Sequence, residues 1–149
     1  MPLLDYTTRV PAARTVGEIH DLLARAGARG VLTDYDGAGH PIGIGFVMDT
    51  NLGRLSYRLP ANLAGVLAVL QRQHGAGKID RRYATEEHAT RVAWRILSDW
   101  LRAQVALLDA QLASLPQVML PYLVERDGRT LYETWEGSRL ALPPGRGEQ

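Results

Sequence analysis

The chain contains no cysteine, which excludes a disulfide framework, a thiolate nucleophile and cysteine-ligated zinc. It has a single lysine, Lys78, and only one phenylalanine. No apolar run approaches the roughly 20 residues of a membrane-spanning helix. The opening Met-Pro-Leu-Leu-Asp lacks the basic and apolar regions of a signal peptide. None of the four serines stands in a Gly-x-Ser-x-Gly elbow. The four histidines, His20, His40, His74 and His88, are scattered and show no His-Glu-x-x-His spacing. From these absences we expect a cytoplasmic, non-enzymatic protein with no metal, no cofactor and no membrane partner.

What remains is ordinary globular material. At 149 residues, 46% hydrophobic and 22% charged, the chain has enough apolar surface for one core without a staple. We expect a single α+β domain over residues 1–142 and a mobile tail over 143–149. The net charge of +1 conceals an asymmetry. Residues 1–53 and 103–149 are each acidic, whereas residues 54–102 hold nine basic and four acidic side chains. A basic middle between acidic ends admits a polyanionic partner.

Local signals give an order of elements. Leu3–Val10 reads as a short strand ending at Pro11. Thr15-Val-Gly-Glu18 has the form of a capping box, and the helix it opens places Val16, Ile19, Leu22, Leu23 and Ala26 on one face before Gly27 ends it. Three strands follow, over 31–35, 40–49 and 54–59, joined at Asp36-Gly-Ala-Gly39 and Thr50-Asn-Leu-Gly53. A symmetric second loop sets Phe46 opposite Tyr57, Met48 opposite Leu55, Ile44 opposite Leu59 and Asp49 opposite Arg54. With Val31 and Tyr35 these apolar residues form a face that must pack on helices. The other face carries Leu32, Asp34, Gly43, Gly45, Val47, Ser56 and Arg58, with a small centre that another backbone can approach. Pro60 stands where a second helix, 61–73, can begin. After a glycine-rich, basic loop, Thr85 caps a long third helix expected to reach Ala113. Val118–Glu125 and Thr130–Trp135 have the composition to pair around Asp127-Gly128.

The third helix has two apolar stripes, one of Ala89, Ala93, Ile96, Trp100, Ala103, Leu107 and Ala110, the other of Trp94, Leu97, Leu101, Val105, Leu108 and Leu112. Together they cover more of the helix than one sheet can, which leaves the second stripe in need of a partner. This leads us to expect either a central helix or a homo-oligomer, most simply a dimer, with those six residues at the interface.

Three resemblances bear on function. Val31-Leu-Thr-Asp34-Tyr-Asp36-Gly37 resembles the first motif of haloacid-dehalogenase-type phosphatases, whose first aspartate is the nucleophile. The later lysine and acidic motifs of that family have no counterpart here, so turn formation by Asp36-Gly37 is the expectation. The order helix, three strands, helix resembles the double-stranded-RNA-binding domain, with His40-Pro41 placed like one contact of that family. Its second helix opens with lysines, however, where this chain has Pro60-Ala-Asn-Leu, so only topology is implied. The pattern Tyr6-Thr-Thr, Thr15-x-x-Glu18-Ile19, Leu59-Pro60, Val92-Ala-Trp-Arg-Ile96 and Leu120-Pro-Tyr122 resembles small uncharacterised proteins of bacteriophages and prophages. That likeness implies nucleic-acid handling or the binding of a host protein.

The residues that carry chemistry are basic. Lys78, Arg81 and Arg82 precede the long helix, Arg91, Arg95 and Arg102 recur on its polar side, and Tyr83 lies among them. Arg54 and Arg58 flank the glycine patch of the sheet. Arginines beside an aromatic residue pair with phosphates and stack on bases. We therefore expect sequence-tolerant nucleic-acid binding, single strands favoured. The alternative is a phage-type protein-interaction module that binds or inhibits a host protein.

Overall fold

A computed structural model describes residues 1–140, with the backbone alone at 139 and 140; the expected tail over 143–149 lies outside the described residues. Helix α1 (Ala12–Arg25) leads into a three-stranded antiparallel sheet, β1 (Ala28–Tyr35), β2 (Pro41–Thr50) and β3 (Gly53–Pro60), in the order β1-β2-β3. Helices α2 (Leu63–Gly75) and α3 (Glu86–Asp109), a short α4 (Leu115–Met119) and α5 (Leu131–Leu140) complete the α+β architecture.

The sheet follows the hydrophobic pattern. Ile44, Phe46 and Met48 stand opposite Leu59, Tyr57 and Leu55, and Asp49 stands opposite Arg54, all as expected. Ile44, Phe46, Met48, Tyr57 and Leu59 are buried together with Val16, Ile19 and Leu23 of α1 and Trp94 and Leu101 of α3. A second cluster joins Leu70, Ile79, Ala89 and Val92, so α3 serves both. The alternation of strand residues thus puts α1 and α3 on one sheet face and leaves the other uncovered at Leu32.

Several boundaries differ from expectation, each for a local reason. α1 begins at Ala12, because the φ of −57° at Pro11 suits a helix start one turn before Thr15. The capping box is therefore not formed; Thr15 is buried inside the helix instead. Leu3–Val10 is no strand. It folds as turns, with Tyr6 N–H donating to Leu3 O (3.2 Å) and Thr8 N–H to Asp5 O (3.0 Å), while Leu3 and Tyr6 anchor in the second cluster. Pro60 ends β3 opposite Gly43 rather than opening α2. Asn62 caps α2 instead, its Oδ1 accepting from Gly65 N–H at 2.9 Å. Thr85 caps α3 as expected. That helix stops at Asp109, four residues early, where Gln111 takes a φ of +57° and Ser114 opens α4 with a capping box.

The pairing of 118–125 with 130–135 is largely replaced by helix. Pro116 and Pro121 occupy first-turn positions of α4 and of a 3-10 turn at Leu120–Tyr122, places where a missing N–H costs nothing. One isolated bridge of that pairing survives among the described residues, Val124 with Thr130; a second joins Leu123 to Tyr57 of β3 instead. The sequence 131–140 forms α5.

This replacement corrects the expected oligomer interface. Leu115, Val118, Met119 and Tyr122 pack on the cluster that holds Trp94, Leu97 and Leu101. Trp94 and Leu101 are both 0% exposed, and the Trp94 indole donates to Pro41 O at 2.8 Å. Val105 and Leu108 are half-buried, and only Leu112, beyond the helix end, is open. The first half of the stripe, Trp94, Leu97 and Leu101, is thus packed within the chain's own core.

Candidate nucleic-acid interface

The nine residues singled out as nucleic-acid contacts fall into three separate groups. On α3, Arg95 is largely withdrawn from solvent, its side chain 18% exposed. Its guanidinium donates to Glu18 Oε2 at 2.9 Å and to Thr15 Oγ1 at 3.3 Å, clasping α3 to α1. Arg102 lies 3.6 Å from the same Glu18 oxygen. Glu18 is held below the usual carboxylate range by its hydrogen bond from Arg95, with Arg102 and Arg14 adding charge. Arg91 donates to Glu87 at 2.7 Å, one turn back. The helix face that reads as a basic stripe is thus a set of ion pairs.

On β3, Arg54 donates to Asp49 at 2.8 Å, and Arg29 joins the same carboxylate at 3.2 Å. Those bonds, Arg54 first, depress Asp49, and Asp49 in turn raises Arg54. Arg58 donates to Glu133 of α5 at 3.0 Å, which holds Glu133 low. Both arginines beside the glycine patch are therefore engaged.

The third group differs. Lys78 and Arg81 are exposed and, among the described residues, have no carboxylate within ion-pair distance. Arg82 lies 4.0 Å from Asp80 and 4.8 Å over the Tyr83 ring. The connection that carries them is ordered from within. Ile79 is buried, Gly77 supplies a φ of +72°, and His74 Nδ1–H donates to Ile79 O at 3.2 Å. Asp80 accepts from Arg82 N–H at 3.2 Å to open the 3-10 turn Arg81–Tyr83. Arg72, in the last turn of α2, is also exposed and without a carboxylate partner among the described residues. Sequence reasoning passed over Arg72, although its place six residues before Lys78 was visible.

Tyr83 is not a free stacking platform. It is half-buried, edge-on to Tyr6 (5.3 Å between centroids) and tilted against His88 (5.2 Å). His88 itself is buried and bonds through Nε2–H to Tyr6 O.

Of the two aspartates of the phosphatase-like motif, Asp34 lies in β1 and Asp36 carries turn structure, as expected. Asp36 Oδ1 accepts from Ala38 N–H at 2.9 Å and His40 N–H at 2.8 Å, and these bonds, that from His40 first, keep its carboxyl low. Among the described residues, no group of three or more His, Asp or Glu is placed to hold a metal, and no helix is long and apolar enough to cross a membrane. In comparisons with known proteins, the chain matches no family model, no curated protein and no solved structure.

Proposed function

We propose that this protein binds the phosphate backbone of nucleic acid through the connection between α2 and α3, without sequence readout and in a phage-like setting. The observation that carries this reading is the run Arg72, Lys78 and Arg81, three exposed cations without a carboxylate partner among the described residues, joined by Arg82, which is held only at 4.0 Å from Asp80, whereas Arg54, Arg58, Arg91, Arg95 and Arg102 each meet a carboxylate more closely. Unpaired cations gain on meeting a phosphate and releasing its counterions; a paired arginine must first give up its partner. Single strands fit better than duplex, since a flexible strand can follow one short segment. The cations of the longest helix, Arg91, Arg95 and Arg102, are ion-paired rather than free to enter a groove.

The test is fluorescence anisotropy of a labelled single-stranded oligonucleotide at low salt. Replacing Lys78, Arg81 and Arg82 together with glutamine should weaken binding by roughly tenfold or more. The same change should move stability by no more than about 0.5 kcal/mol per site. The Arg54→Gln/Arg58→Gln variant should bind as the parent does. A triple variant that binds like the parent overturns the proposal.

A second reading rests on the uncovered sheet face. A depression of about 440 Å³ lies over Gly45 between Leu32 and Arg58, bordered by Asp34, Ser56 and Val124. Its only large exposed apolar residue is Leu32, and the sheet's aromatic residues Phe46 and Tyr57 point the other way. Such a surface suits a protein partner better than a stacked base. Absence of oligonucleotide binding at low salt would favour this reading.

A further inference from the structure

We propose that the free edge of β1 is a docking edge for a second copy of this chain, giving a two-fold dimer with a sheet continuous across the pair. The two edges of the sheet are unlike. Beyond β3, Val124 N–H donates to Ser56 O at 2.9 Å and Leu123 bridges Tyr57, so that edge is partly capped. Beyond β1, no strand or bridge lies among the described residues.

The ladder dictates which groups are open. Ala61 N–H donates to Ile42 O, so the even residues of β2 direct their backbones to β3 and the odd ones to β1. Gly45 and Val47, which stand opposite Leu32 and Gly30, therefore take those residues' backbone groups. The N–H and C=O of Val31 and Thr33 face outward. The guards that β1 carries, the charges of Arg29 and Asp34 and a register shift beside each, lie toward its ends, and the stretch from Gly30 to Thr33 between them has no charge, proline or bulge. It also exposes Leu32 (67%) and Tyr35 (60%).

A second copy fits this edge in one register. A two-fold normal to the sheet through Leu32 pairs Val31 with the partner's Thr33, using the open backbone groups. It also sets Leu32 against the partner's Leu32 in the closer, non-hydrogen-bonded geometry. The helix beneath supports the same symmetry. An open groove of about 780 Å³ separates α1 from β1 and is bordered on the helix by Arg14, Gly17 and Asp21. These lie on one stripe, a cation and an anion two turns apart with a glycine midway. A side chain added at Gly17 would meet nothing within 4 Å. In the proposed pair two such helices run oppositely around the axis, and Arg14, 73% exposed and held at 3.6 Å from Glu18 of its own helix, exchanges that surface contact for the partner's Asp21. Self-complementarity of this kind selects a second copy over an unrelated strand.

The proposal is independent of nucleic-acid binding, and its test is mass in solution. Light scattering and sedimentation at tens of micromolar should give a dimer. Leu32→Lys, which sets like charges across the axis, should raise the dissociation constant by roughly tenfold or more. Arg14→Asp should weaken the dimer, and Arg14→Asp/Asp21→Arg should restore it while the melting temperatures of the monomeric chains stay alike, which separates the rescue from repair of the Arg14–Glu18 pair within α1. A monomer for the parent chain at these concentrations overturns the proposal. So does a dimer indifferent to Leu32→Lys and to the charge exchange, because its contact then lies elsewhere.

Discussion

Asp5 holds a left-handed backbone with φ 61°, and its buried Oδ2 has no hydrogen-bond partner among the described residues. Burial first, then the neighbouring Asp99 carboxyl, raise its carboxyl to about 6, with Arg95 pulling the other way. The native state therefore holds this proton more tightly than the unfolded chain does. The resulting stability is fully present below the ordinary aspartate range and is lost as pH rises through about 6. Asp5→Asn keeps the backbone tolerance and removes the titration. Urea unfolding from about pH 4 to about pH 7 should show the parent losing on the order of 1 kcal/mol relative to the variant, a figure reduced for solvent screening. Tyr57 is a second unsatisfied group. Its hydroxyl is buried without a partner and its titration is pushed up by that burial. Tyr57→Phe should thus stabilise the fold by about 1 kcal/mol, read as a rise in the urea midpoint. Arg95 makes the opposite case: Arg95→Gln breaks the clasp to Glu18 and Thr15, and the melting temperature should fall. No comparable fall should accompany Arg81→Gln.

At the scale of elements, signals that were local and backed by burial could be read directly. The β2–β3 register followed from the symmetric loop at Thr50–Gly53 together with alternation, because a one-residue slip would turn Phe46, Met48 and Tyr57 toward water. The cap at Thr85 followed from residue type, and its loss is measurable. Thr85→Ala should cost about 1 kcal/mol of stability by chemical denaturation, since His88 N–H loses its acceptor. Elements whose formation depends on distant contacts were not legible. Residues 115–123 form α4 and a turn because Trp94, Trp100 and Leu101 offer an apolar surface to Met119 and Tyr122, with Tyr122 edge-on to Trp100 at 5.7 Å. Nothing within that segment's own pattern announces this surface. The turns of Leu3–Val10 depend likewise on Leu70 and Ile79, far along the chain.

For the molecule as a whole, the class of fold and the uncovered sheet face were readable in the sequence, but the state of its charges was not. Helical spacing collected Arg91, Arg95 and Arg102 correctly on one side of α3. It could not reveal that Glu18 of a helix some 80 residues earlier would meet two of them. Ion pairing thus narrows the basic residues of the middle segment, 54–102, to Arg72, Lys78, Arg81 and the loosely held Arg82. The salt dependence of binding counts such contacts. On single strands each phosphate contact contributes about −0.7 to the slope of log affinity against log salt. Titrating a labelled single-stranded oligonucleotide at rising salt should give a slope near −3 for this connection. A slope nearer −6 would mean that the paired arginines also engage phosphate, and no binding at low salt would mean that the connection is only a solvated turn; either result contradicts the account.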